Sequence, residues 1–342
     1  MRSLSSSSGT RRRDSATSRR LCSMMCRRTG TIVALLAAGA AAADAAAQGA
    51  GDAGAAESTP AAAGIPWWWL AFWCALAVAS VIAMRHVAWF RQLPRIGPAW
   101  PLRAEPSVLG FGAAFMGAAL GAVLMVRAAP ESAGDLARAT LQAAGGHAAQ
   151  LAVVVALFSL SSARPRRGLT AVGHGGVHAQ PRGQLESAAL GACFAALLWP
   201  MAQAVGGIAT AIQALAGERI PELGHRTLEA LAATGPSDPW WWASVGCAAV
   251  LTPLAEEWMY RGLLQQGLKG AGLGRGAAIA VTSVLFALVH WGSLADGSRA
   301  AGLATLVLLS VGWGLLYERS GRIVAPIVAH AAFNAVNLWI AA

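Results

Sequence analysis

Residues 67–84 read WWWLAFWCALAVASVIAM, an apolar stretch that contains no charged side chain. A helix of about 20 apolar residues spans the hydrocarbon core of a bilayer, so we interpret this stretch as a transmembrane helix. Further apolar stretches lie at 108–126, 148–162, 188–215, 240–260, 276–291, 300–317 and 323–341. Together they predict an all-α fold, a polytopic membrane helix bundle with about eight transmembrane helices.

The composition favours a membrane protein and disfavours a nucleic-acid partner. Of the 342 residues, 56% are hydrophobic and 12% are charged, whereas soluble domains carry about 25% charged residues. The formal net charge is +10, but residues 1–28 hold eight arginines against one aspartate. The rest of the chain has no basic patch with interleaved aromatic residues, which a nucleic-acid-binding surface would need.

The N-terminal residues, 1–47, form an arginine-rich leader. Within it Arg27 and Arg28 precede an apolar run at 31–43 and small residues at 45–47. This order of basic, apolar and small residues is typical of a secretory signal peptide. The leader therefore predicts a signal peptide, and an uncleaved extension is the alternative.

Three further regions follow the leader. Residues 48–65 are rich in alanine and glycine and predict a flexible linker. Residues 66–235 hold N-terminal transmembrane helices, and 236–342 form a C-terminal transmembrane region that carries the polar residues discussed below. Small residues in the second span predict close helix contacts; they include Gly110, Gly112, Gly117 and Gly121.

Basic residues between the spans indicate an orientation. The connection 85–103 and the connection after the third span each carry four arginines. The two later connections on the same side hold Lys269 with Arg275 and Arg319 with Arg322. Because basic connections stay in the cytoplasm, we predict a multi-pass integral protein of a bacterial inner membrane with these connections inside.

An acidic pair lies within the fifth span. Of the 16 acidic residues, Glu256 and Glu257 alone fall inside a predicted span away from its ends, where charged groups are costly and mark candidate functional sites. In a helix Glu257 can pair with Arg261, four residues on, while Glu256 points about 100° away and can take a proton from water. Pro253 predicts a kink before the pair. A charged helix end at the membrane interface is the alternative interpretation.

Two histidines lie in otherwise apolar helices, His290 and His330, and Asn334 follows His330 by one turn on the same face. The other five lie in predicted loops or at their edges: His86, His147, His174, His178 and His225. Together with Glu256, the buried rings and the amide could activate water and stabilise an oxyanion. Glu256, His290 and His330 could equally bind zinc with an open position. For His290 alone, a ring satisfied by a neighbouring group is the alternative.

The three polar patterns occur in a fixed order on successive predicted helices. Glu-Glu-x-x-x-Arg begins at Glu256, Phe-x-x-x-His ends at His290, and His-x-x-x-Asn begins at His330. This order and spacing resemble the CPBP (Abi) family, which includes the type II CAAX prenyl endopeptidases and bacterial relatives linked to bacteriocin self-immunity. The resemblance covers residues 240–342, and the stretch LLYERSG at 315–321 also fits it.

The resemblance implies a role for each matching residue. Glu256 corresponds to the catalytic glutamate that activates water, and Glu257 with Arg261 corresponds to its supporting pair. The side chains that position water or hold the oxyanion correspond to His290, His330 and Asn334. Zinc-dependent and metal-free glutamate mechanisms are both proposed for the family, and this chain lacks the His-Glu-x-x-His helix of zincins. A divalent metal such as zinc therefore stays open.

We predict an intramembrane endopeptidase that hydrolyses a peptide bond in a membrane-associated protein or peptide, with glutamate-activated water. Its partners are the lipid bilayer and that substrate. The main alternative is a non-catalytic membrane scaffold or a bacteriocin-immunity-type protein. A transporter would require internal symmetry between the two halves, which the sequence does not show.

The predicted span bounds conflict with a shared site. Glu256 lies near the inner end of the span 240–260, whereas His290 lies about 22 Å along its own helix. The two side chains can meet only if residues 262–275 re-enter the membrane, if the helices tilt, or if the predicted bounds are wrong.

Overall fold

The structure, a computed structural model, describes residues 65–86, 100, 102–160, 183–218, 220–221 and 224–341. The predicted leader and signal peptide, and the linker up to residue 64, lie outside the described residues. The same holds for most of the two arginine-rich connections that follow the first and third predicted spans.

Helices account for most of the described residues, and these residues contain no β-strand. In chain order they are α1 (Trp67–His86), α2 (Ala104–Ala128), α3 (Asp135–Leu160), α4 (Gln184–Leu215), α5 (Arg226–Thr234), α6 (Pro239–Gly246), α7 (Thr252–Glu257), α8 (Gln266–Gly270), α9 (Arg275–Val289), α10 (Arg299–Ser320) and α11 (Val324–Ala341). Two π-helical segments, Cys247–Leu251 and Trp258–Gln265, join α6 to α7 and α7 to α8. Residues 239–270 therefore form one continuous helical run.

The predicted polytopic helical bundle is confirmed. Among the described residues, five helices are long and apolar enough to cross a membrane, namely α1, α2, α3, α4 and α10, and two shorter apolar helices lie within α9 and α11. The third span begins earlier than predicted, at Asp135 instead of 148. His147 therefore lies inside a spanning helix and not at a loop edge, and its Nδ1 lies 2.8 Å from Gln150 Oε1. Polar residues such as Arg138 lowered the apolar character of this helix without interrupting it.

Glu318 joins three helices at one end of the bundle. Its carboxylate, with a side chain only 1% exposed, lies 2.8 Å from Lys269 Nζ and 3.1 Å from Arg275 Nε. Gln265 and Gln266 donate to the same carboxylate. The predicted span 300–317 ends just before Glu318, but α10 continues past this residue to Ser320. Glu318 is thus a third buried carboxylate, and its partners from α8 and α9 fasten both helices to α10.

Helices α2 and α3 approach closely at glycines. A Cβ at Gly121 would overlap the carbonyl oxygen of Gly145 and would lie 2.8 Å from Ala149 Cβ. By contrast, nothing lies within 4 Å of the Cβ position of Gly112. The predicted close approach therefore holds at Gly121 and is wrong for Gly112, which faces open space.

We expect Gly121→Ala to destabilise the bundle and Gly112→Ala not to do so. The methyl group at residue 121 must displace a backbone carbonyl of the facing helix, and overpacking of this kind costs about 1–3 kcal/mol. At the open position alanine gains up to about 1 kcal/mol of helix propensity over glycine. Thermal unfolding of both variants in detergent gives the comparison. Equal unfolding midpoints would contradict the close packing of α2 on α3.

Candidate active site

The acidic pair lies on the buried helix α7, between two π-helical segments. Glu256 is 8% exposed and Glu257 is fully buried. Pro253 lies in the first turn of α7, where its missing N–H costs little. The distortion predicted around Pro253 takes the form of these segments, and π-helical turns occur often at functional sites.

Glu257 lies at the centre of a buried chain of polar contacts. Its Oε2 lies 3.0 Å from Arg261 Nε, and its Oε1 lies 3.0 Å from His330 Nδ1. Arg261, also fully buried, donates from Nη2 to the carbonyl and hydroxyl oxygens of Ser310, both at 3.1 Å. The Trp313 ring stacks on the His330 ring with 3.9 Å between centroids. Glu257 and Trp313 together hold the His330 ring in one orientation.

Both site histidines are held through Nδ1 and turn Nε2 toward Glu256. His290 follows the last residue of α9, and its Nδ1 lies 2.6 Å from the carbonyl oxygen of Phe286. His330 Nδ1 faces the Glu257 carboxylate. Because a carbonyl and a carboxylate accept hydrogen bonds, each Nδ1 carries the proton and each neutral ring has a lone pair on Nε2. These Nε2 atoms lie 3.6 Å (His290) and 3.9 Å (His330) from Glu256 oxygens.

Three acceptors therefore converge at Glu256. Its Oε2 is buried and accepts no hydrogen bond from the described residues. A carboxylate opposite two imidazole lone pairs attracts a group that donates hydrogen bonds, such as a water molecule. The arrangement can hold and polarise such a donor, and it can store the proton that the donor releases.

The conflict over span bounds is resolved by the length of the helical run that carries Glu256. This run continues to Gly270, ten residues beyond the predicted end at residue 260. Glu256 therefore lies roughly 20 Å from Gly270, and His290 lies about 22 Å from Arg275 on the antiparallel helix α9. The two side chains reach the same depth because the predicted end was wrong.

Asn334 is placed differently from the expectation. Its Nδ2 donates to the carbonyl oxygen of Ala248 at 2.9 Å, in the first π-helical segment. Among the described residues, no hydrogen bond or ion pair joins Asn334 to Glu256 or to either site histidine. The amide shares the helix face of His330, as the spacing predicted, but one of its two hydrogens is used to bind the fifth span.

A third histidine, His225, lies beside the site, although the sequence predicts only that it lies in a loop. It lies in the connection between α4 and α5, outside the spanning helices, and its ring interacts electrostatically with His290 and Glu256. Burial, reinforced by the neighbouring His290 ring, lowers the pKa of His225 to about 4, although Glu256 acts in the opposite direction. No sequence signal pointed to this placement, because it depends on a contact between two connections.

The side chains as placed do not fit a metal ion. Each ring donates its Nδ1–H to an oxygen acceptor, as zinc-ligating histidines do. However, the ligands of tetrahedral zinc lie about 3.4 Å apart, whereas Glu256 lies 3.6 and 3.9 Å from the two Nε2 atoms. Within the described part of the chain, no group of three or more His, Cys, Asp or Glu side chains is placed to hold a metal ion. Zinc at Glu256, His290 and His330 stays a prediction.

Comparison with known proteins agrees with the resemblance seen in the motifs. Residues 238–336 match the family model described as Rce1-like, type II CAAX prenyl endopeptidase. No curated protein and no solved structure matches the chain. The matched region runs from the start of the fifth span into α11 and contains the acidic pair, Arg261, both site histidines and Asn334. The match supports a membrane protease, and residues 238–336 of this chain are similar to the Rce1-like type II CAAX prenyl endopeptidase family.

Proposed function

We propose that this protein is an intramembrane endopeptidase in which Glu256 activates water to hydrolyse a peptide bond of a membrane-associated protein or peptide. The observation that carries the proposal is the convergence of one buried carboxylate and two imidazole Nε2 atoms from three helices or helix ends. Such a cluster inside a membrane bundle is costly unless it serves a function.

The hydrogen-bond pattern supports the following first step. A water molecule donates one hydrogen to Glu256 and the other to Nε2 of His290 or His330, since these atoms accept. Glu256 takes the proton, the water oxygen attacks the carbonyl carbon, and the carbonyl oxygen becomes an oxyanion. When the C–N bond breaks, the proton held by Glu256 passes to the leaving nitrogen, which gives a free amine and a carboxylic acid. The acid then loses the second proton of the water to Glu256 and leaves as a carboxylate.

The supporting groups fix geometry and take no proton in this scheme. Glu257 and Arg261 orient the His330 ring, and Phe286 orients the His290 ring through its carbonyl oxygen. Catalysis of this kind depends on holding the reacting groups within a few tenths of an ångström of the productive arrangement.

The test is an assay of the purified chain in lipid vesicles with a farnesylated peptide that ends in a CAAX sequence and carries a quenched fluorophore. The same peptide without the lipid is the second substrate. Cleavage by the wild type, and its loss in Glu256→Gln, is the expected result. Full cleavage by both Glu256→Ala and His330→Ala would remove the proposed site. If Glu256→Gln keeps the cellular phenotype, the scaffold interpretation is favoured instead.

We expect the reaction to proceed without a metal ion, because no group of three or more His, Cys, Asp or Glu side chains in the described residues is placed to hold one. Elemental analysis of the purified chain should find far less than one zinc per chain, and a chelator should leave the cleavage rate within about twofold. Stoichiometric zinc, with activity lost on chelation and restored by zinc alone, would establish the metalloprotease mechanism in its place.

The proposed location is a bacterial inner membrane, with the basic connections in the cytoplasm and the leader acting as a signal peptide. Lys269 and Arg275 share one carboxylate partner on α10, so the two helix ends they belong to lie at the same end of the bundle. Labelling of single cysteines introduced at exposed Arg127 and exposed Gly272, from either side of the membrane, distinguishes this orientation from the reverse.

A further inference from the structure

We propose that His225, which lies outside the family match, is a catalytic residue that donates the N–H of its Nε2 to the carbonyl oxygen of the scissile bond as that oxygen becomes an oxyanion. The inference rests on the proposed peptide hydrolysis and adds a fourth side chain to its site. It gives the reaction a hydrogen-bond donor, which the two site histidines in their neutral form cannot supply.

His225 is fixed beside His290 by a short antiparallel contact between two connections. His225 pairs with Leu294 in an isolated β-bridge, Arg226 N–H donates to the Ser293 carbonyl at 3.0 Å, and Ala295 N–H donates to the Gly224 carbonyl at 3.1 Å. The paired connection begins at the end of α9. There the His290 carbonyl accepts from the N–H groups of residues 293 and 294 at 3.0 and 3.2 Å. These backbone contacts hold the two connections together near the end of α9, and the His225 ring interacts electrostatically with His290 and Glu256.

The hydrogen bond at Nδ1 determines which nitrogen of His225 carries the proton. His225 is the N-terminal cap of α5, and its Nδ1 accepts from the backbone N–H of Thr227 at 3.2 Å. An acceptor nitrogen carries no proton, so the neutral ring has its N–H at Nε2. This Nε2 makes no hydrogen bond to any described residue. It is also not one of the fully buried polar atoms that lack a partner. It is a donor without a protein partner at the edge of the site.

In the other two rings, those of His290 and His330, the donor and acceptor nitrogens are exchanged. In the neutral form of His290 and His330, the contacts at Nδ1 place the proton on Nδ1, and the Nε2 lone pair faces Glu256. They suit the water, which donates, and do not suit an oxyanion, which needs donors. Asn334 has one amide hydrogen left after its bond to Ala248. His225 thus supplies an oxyanion donor in addition to His290, His330 and Asn334, the residues for which the sequence predicts that role.

Two substitutions at this position separate the donor from the helix cap. In His225→Asn the side-chain oxygen takes the place of Nδ1 and can keep the cap on Thr227, but the Nε2–H donor is lost. In His225→Gln the terminal amide reaches the place of Nε2 and restores an N–H donor, while the cap is lost. His86→Asn, at an exposed position in the last turn of α1, is the matched control.

The assay uses the full chain in lipid vesicles and the farnesylated peptide. We expect His225→Asn to lower kcat by about 10²-fold, the effect of removing one oxyanion donor, with KM and the unfolding midpoint close to wild type. His225→Gln should regain most of kcat even if its unfolding midpoint falls. Wild-type kcat in His225→Asn, or a loss in His225→Gln as large as in His225→Asn, would overturn the inference. Failure of the wild type to cleave the peptide would instead refute the proposed peptide hydrolysis, and activity in Glu256→Gln, assayed alongside, would refute only the role of Glu256.

Discussion

Glu256→Gln is expected to lower kcat for the farnesylated peptide by about 10²- to 10⁴-fold, the usual contribution of a general base. Glutamine has the same shape as glutamate but does not accept a proton from water near neutral pH. Its amide hydrogens would face the Nε2 lone pairs that lie 3.6 and 3.9 Å from the carboxylate. The variant should therefore unfold at the same temperature as the wild type or at a higher one, because stability at a catalytic site is often sacrificed for activity.

A matched control for this substitution is Glu186→Gln. Glu186 lies exposed in the first turn of α4 and makes none of the contacts described for the site. It should leave both kcat and the unfolding midpoint unchanged. If Glu256→Gln retained kcat within a few-fold of the control, Glu256 would not be the base. If it lost activity only together with its fold, the catalytic role would lack support.

Arg261→Met is expected to destabilise the fold by about 3–5 kcal/mol, the cost of leaving a buried charge without its partner. The Glu257 carboxylate would then be fully buried with His330 as its remaining contact. Ser310 would also lose the Nη2 group that binds its carbonyl and hydroxyl oxygens. Activity should fall as well, because the contact that orients the His330 ring depends on Glu257.

The double variant Glu257→Gln with Arg261→Met tests the cause of this loss of stability. If the penalty comes from the uncompensated carboxylate, the double variant should unfold at a higher temperature than Arg261→Met alone. Arg226→Met removes the exposed pair of Arg226 with Asp296, 3.9 Å apart, and should cost less than about 1 kcal/mol. Equal losses of unfolding free energy in Arg261→Met and Arg226→Met would show that the buried pair stabilises the fold no more than the exposed pair does.

Features that depend on neighbours along the chain were predictable. The apolar stretches marked the helices because each spanning segment must bury its own backbone hydrogen bonds. Glu257 and Arg261 could be paired because residues four apart meet on any helix. The same rule placed Asn334 on the face of His330, but it could not show that the amide binds Ala248 on another helix.

Features that depend on where polarity changes along a helix were predicted poorly. The start of the third span was wrong because its first turns are polar, and His147 was therefore placed outside the membrane helix. The predicted end of the fifth span was wrong for the same reason. The predicted bounds therefore placed Glu256 and His290 at different depths in the membrane. In both cases the helix continues because packing against other helices stabilises it, whereas hydropathy records composition alone.

The chain order of residues was enough to identify the class of fold, the family resemblance and the polar side chains that mark the C-terminal region. Their arrangement required the packed bundle, since packing between helices brings the rings of His290 and His330 to Glu256 and places Glu257 against His330 Nδ1. The role of His225 is the clearest case. Its position comes from two connections that are about 70 residues apart in sequence, and a pairing over that distance depends on the paths of all the helices between them.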